Sequence, residues 1–155
     1  MGLITEFFFG RLTKIQDEKI GKLTAKIKSD NPSLNYTWTG EYKLDGQAKP
    51  TVFILEGNDV GPYGEQLKSV HRIVDTLDGI ISRVDKELKE RLNIKQRFKY
   101  DWTKEFYVAA IVPCDPDVKG AGIQFEISLE PIKEDDTDYV GLIWNNDRLT
   151  EIEAK

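Results

Sequence analysis

Cysteine occurs once in this chain of 155 residues, at Cys114, and histidine once, at His71. A single cysteine excludes an internal disulfide and a zinc site built on paired thiolates, and a single histidine excludes a His-pair metal site within one chain. Long apolar runs are missing as well. The start, MGLITEFFFGRLTK, has no basic residue ahead of its apolar ones, no small-residue cleavage site and no unbroken apolar run longer than Phe7 to Phe9, so it does not read as a signal peptide. No stretch of about 18 apolar residues exists to span a bilayer. Glu6 stands where a myristoylation pattern beginning at Gly2 needs Ser or Thr. Nor is there a Lys/Arg block along an aromatic stretch, and the net charge is −5, with 27 acids against 22 bases. The phosphate-neutralising charge that drives nucleic-acid binding is therefore absent. These absences give the expectation of a cytoplasmic protein with neither membrane nor nucleic acid among its partners.

What is present is the make-up of one globular domain, residues 1–155, with 39% apolar and 32% charged residues and no repeat or linker. In YTWTGEYKL, Tyr36, Trp38, Tyr42 and Leu44 alternate with Thr37, Thr39, Glu41 and Lys43, the period of a half-buried strand. The turn residues of DGQAKP and the β-branched TVFILEG complete a hairpin over 36–56. Beyond three glycines at 57, 61 and 64, which form no phosphate loop, Leu67, Val70, Val74, Leu77, Ile81, Val84, Leu88 and Leu92 recur at spacings of three and four. They predict one long amphipathic helix from about 64 to 92, bent near Gly79. EFYVAAIVP and GIQFEISLE read as strands, the second with Ile123, Phe125, Ile127 and Leu129 inward and Gln124, Glu126, Ser128 and Glu130 outward. YVGLIWNNDRLTEIEA reads as strand, tight turn, strand. Residues 11–29 fit strand or helix, and Leu23, Ala25 and Ile27 favour strand. The fold class expected is α+β, an antiparallel sheet of five to seven strands with the long helix packed on one face.

Each candidate for chemistry has a simpler explanation. His71 lies about 100° from the centre of the helix's apolar stripe, a boundary position. Cys114, in VPCDPD, is surrounded by acids that disfavour a thiolate. DPDVKG holds Asp115, Asp117 and Gly120 in calcium-loop order but has Lys119 where an oxygen ligand is needed. Glu134, Asp135, Asp136 and Asp138 crowd the tip between two strands, where polar residues keep a loop hydrated. With Glu126, Glu130 and Asp147 they form an acidic region suited to a basic protein partner. A hydrolase using a divalent cation at Asp115, Asp117 and Asp135 to Asp138 is the alternative from a different class, and a housekeeping role another.

The succession FFFGRL, YTWTGEYKL, TVFILEG, long helix, FYVAAIV, GIQFEISLE and DYVGLIWNNDRLTEI resembles small bacterial domains of unknown function of the DUF2262 and DUF6985 type. Its marks are Phe9, Gly10 and Leu12, then Trp38 and Gly40, then the FEISLE strand beside the VGLIWNNDRL hairpin; residues 13–35 have no counterpart. Some of those domains lie beside polymorphic toxin genes as candidate immunity proteins. The resemblance implies a non-catalytic module that neutralises a toxin or effector by occlusion, and it carries over no functional residue and no cofactor. The contacts expected from the residues are Trp102, Asp135, Asp136, Asp138, Glu126 and Glu130.

Overall fold

The computed structural model describes residues 10–91, 104–114, 124–133 and 138–154. Alternation of apolar and polar residues generates four strands ahead of the helices: β1 (Arg11–Asp17), β2 (Gly21–Ile27), β3 (Tyr36–Tyr42) and β4 (Thr51–Gly57). Four more follow them: β5 (Phe106–Cys114), β6 (Gln124–Pro131), β7 (Val140–Asn145) and β8 (Arg148–Ala154). All eight lie in one sheet, in the order of the chain. The expectation of five to seven strands is corrected at 11–29, where the single strand read from the sequence is two. Asp17 makes the reversal, its Oδ1 accepting the backbone N–H groups of Lys19 at 2.8 Å and Ile20 at 3.0 Å, and Gly21 adopts φ 77° directly after it.

The sheet is also not wholly antiparallel. β4 and β5 run parallel, with Val52 opposite Ala110 and Phe53 opposite Ile111, because the helices carry the chain back to the end from which β4 began. Two four-stranded meanders thus meet at one parallel seam.

Nor is there a single long helix. α1 (Gly64–Asp75) and α2 (Leu77–Arg91) are separated by Thr76, at φ −110° and ψ 11°. Thr76 Oγ1 and its backbone N–H both donate to the Arg72 carbonyl, at 2.8 and 3.1 Å, and the break falls three residues before the expected bend at Gly79.

The helices cover the sheet face formed by Leu23, Trp38, Phe53, Leu55, Ile111, Phe125, Ile127, Leu142 and Trp144, all buried, and contribute Val70, Ile73, Leu77, Ile80, Val84 and Leu88 to the same core. Tyr42, expected inward with Trp38 and Leu44, is 42% exposed, its ring lying against Gly21. Among the described residues, no helix is long and apolar enough to cross a membrane.

Candidate functional site

In a ladder, directly paired residues share a face, so the register fixes what lies opposite the helices. One row of that outer face starts with Lys14, opposite Thr24, which faces Thr39, which faces Ile54 on β4. It continues through Val112, opposite Glu126, which faces Ile143, which faces Glu151 on the far edge. A second row runs Glu41, Val52, Ala110, Ser128, Gly141, Glu153, with Lys22 next beyond Glu41 by antiparallel extension of the Thr24–Thr39 pair. The middle of the face is therefore apolar, with Val52, Ile54, Ala110, Val112 and Ile143 half-buried. Lys14 and Lys22 stand on one side of it, with Glu41 between Lys22 and Val52, and Glu126, Glu130, Glu151 and Glu153 stand on the other, with Arg148 among them.

Two tyrosines fasten the acidic half. Tyr139 OH donates to Glu126 Oε1 at 2.9 Å and lies 3.2 Å from Ser128 Oγ. A Cβ on Gly141 would sit 2.8 Å from that hydroxyl, so glycine is what allows the phenol to lie over β7. The Ser128 hydrogen bond pulls the Tyr139 pKa down, but burial, the bond to Glu126 and the charges of Glu126 and Glu153 together hold it above the ordinary phenol value. Tyr107 OH donates to Glu130 Oε2 at 3.2 Å, and burial followed by the Glu130 charge raises its pKa also. Ser128 Oγ also donates to Glu126 Oε1, at 3.5 Å, so Ser128, Tyr139 and Glu126 form one hydrogen-bonded cluster. Beside the lysines the face is hollowed into an open depression of about 400 Å³ lined by Lys22, Thr24, Thr39, Gly40, Glu41 and Val52.

The sequence-expected residues separate into three groups. Glu126 and Glu130 lie together on the outer face. Asp138 directly precedes Tyr139 and is half-buried. Trp102, Asp135 and Asp136 lie outside the described residues, as do Glu134, Asp115 and Asp117. Asp147, expected in the acidic region, instead sits at the β7–β8 turn on the helix side. There its carbonyl accepts Arg83 Nη1 at 2.6 Å, and the Arg83 guanidinium lies 5.4 Å over the Trp144 ring. Among the described residues no group of three His, Cys, Asp or Glu side chains could hold a metal ion.

His71 keeps its boundary position and gains a partner that the sequence did not indicate. Its Nε2 lies 2.8 Å from Asp17 Oδ2. Burial raises the Asp17 pKa, but the two backbone N–H groups and His71 outweigh it and hold the carboxyl below its ordinary value. Cys114 lies on the outer face, in register with Gln124, so the sheet separates it from His71. Lys14, Lys22, Tyr139, Gly141, Glu151 and Glu153 were missed as members of the surface; the alternation in KLTAKI and TEIEA was the available signal. No family model matches the chain, and neither a curated protein nor a solved structure does.

Proposed function

We propose that this chain is a non-catalytic protein-binding module whose contact surface is the outer face of the sheet. The observation that carries the reading is the face itself, an apolar centre spanning both meanders, flanked by opposite charges and overlaid by no described helix. Such a surface has the anatomy of an interface, with apolar contacts in the middle and charges that steer encounter at the rim. Its acidic half, held rigid by Tyr139 and Tyr107, suits a basic partner. With the immunity-like resemblance, this supports a cytoplasmic protein that neutralises a basic toxin or effector by covering it. Of the acids on which a metal-dependent hydrolase would depend, Asp115, Asp117, Asp135 and Asp136 lie outside the described residues, and Asp138 is half-buried beside Tyr139.

The test is co-expression with the product of any toxin-like neighbouring gene. Protection and a salt-sensitive complex, both lost in a Glu151→Lys, Glu153→Lys chain that melts like the parent, are expected. Protection undiminished in that variant would remove the acidic half from the contact, and absence of both protection and complex would remove the immunity role.

A further inference from the structure

The outer face is complementary to itself. We infer that two copies of this chain pack through their outer faces about a two-fold axis running along the strands at the β4–β5 seam, with the lysine half of each over the glutamate half of the other. The inference rests on the reading of this face as a protein-binding surface and names the partner.

A face-to-face pair of identical sheets can be related by a two-fold axis along the strands or across them. An axis across the strands sets β1 over β1, lysine against lysine, and β8 over β8, glutamate against glutamate. An axis along the strands reverses the strand order of the second copy while keeping each residue at its own level. β1 and β2 then lie over β8 and β7. Lys14 and Glu151 end the same cross-sheet row, and Lys22 and Glu153 belong to the next, so each lysine meets a glutamate of the partner at its own level. The symmetry makes each pair twice. Among the described residues neither lysine has a hydrogen-bond or ion-pair partner within its own chain.

Shape follows the same axis. The Tyr139 phenol, raised over Gly141 on β7, is carried over β2 and β3 of the second copy, where the depression lined by Thr24, Thr39 and Val52 lies open. Val52, Ile54, Ala110 and Val112 flank the axis, so Val52 meets Ala110 of the second copy and Ile54 meets its Val112. Eight strands at sheet spacing, each about seven residues long, offer a face of about 700 Å², close to the roughly 800 Å² per partner of a standard interface.

The experiment is sedimentation equilibrium on the full chain and two charge-reversed chains, Lys14→Glu with Lys22→Glu, and Glu151→Lys with Glu153→Lys. The parent is expected to be a dimer that loosens at least tenfold between low and high salt. Each reversed chain alone is expected to be monomeric, and an equimolar mixture of the two to form a heterodimer, because all four cross-pairs are then of opposite sign. Rescue on mixing shows that both reversed chains are folded. A monomeric parent at every concentration overturns the inference, and the face is then covered by another protein or by a segment of this chain outside the described residues. A dimer that neither reversal disturbs overturns it equally, because it uses another surface. If the parent is a monomer yet still captures a basic toxin through Glu151 and Glu153, the second copy falls and the protein-binding reading stands.

Discussion

Asp17 and His71 join the β1–β2 turn to α1. One carboxylate accepts two backbone N–H groups of its own turn and faces the imidazole across the helix–sheet boundary, at 2.8 Å from Oδ2 and 3.0 Å from Oδ1. Its folded pKa is depressed, so the stability that it contributes is present above the unfolded carboxyl value of about 4 and is lost as pH falls through the lower folded value. Asp17→Ala is expected to cost about 1–3 kcal/mol near neutral pH, since buried N–H groups lose their acceptor. The check is urea denaturation from pH 7 down to the acid range, in which the variant's midpoint falls less steeply than the parent's.

Two glycine substitutions are expected to act in opposite directions. A Cβ on Gly40 would collide with the Lys22 carbonyl oxygen and lie 2.8 Å from Leu23 Cδ2, so β2 and β3 would have to part, and Gly40→Ala should destabilise by about 2–3 kcal/mol. Gly79 is exposed within α2 and a Cβ there meets nothing within 4 Å. Gly79→Ala should stabilise by about 0.5–1 kcal/mol through helix propensity and a less free unfolded chain. Thermal melting of both variants reads the two signs.

The outer-face tyrosines should titrate late. Their folded pKa values lie above the ordinary phenol value, so the stability that they contribute is complete below about pH 10 and is lost as pH rises through the folded values. Absorbance titration of the phenolates should therefore show a fraction ionising above the unfolded chain, smaller in Tyr139→Phe.

Leu88, fully buried on α2, anchors the second helix to the core. Leu88→Ala should cost about 2–5 kcal/mol in a denaturant titration, whereas Val60→Ser, at a position 73% exposed, should shift it by less than about 0.5 kcal/mol.

The elements legible in the sequence are those written locally. The β3–β4 hairpin and the β7–β8 turn were readable because period-two alternation is flanked by turn residues, and Asn146 at φ 54° confirms the tight turn. The two strands of 11–27 were not separable by pattern, because the apolar residues there satisfy both helical and strand spacing and the reversal depends on one Asp17 side chain. The break at Thr76 falls between Ile73 and Leu77, within apolar spacing that runs on across it, so it leaves no trace in hydrophobic periodicity. The parallel seam depends on where the helices return the chain, a long-range matter. Glu126 and Glu130 were found because they alternate outward on a clear strand, whereas the link between Lys14 and Glu151 exists only once strand order is known.

The central claim, that a second copy of the chain docks on the outer sheet face, is tested most directly by Ile54→Arg, at the apolar centre of the Lys14–Glu151 row. The measurement is the mass of the chain in solution by light scattering over a range of concentrations, for parent and variant, with thermal melting of each as the control. The account predicts a parent of twice the chain mass, a variant of single mass, and melting temperatures within a few degrees of each other. A variant that melts like the parent and associates as strongly would contradict it.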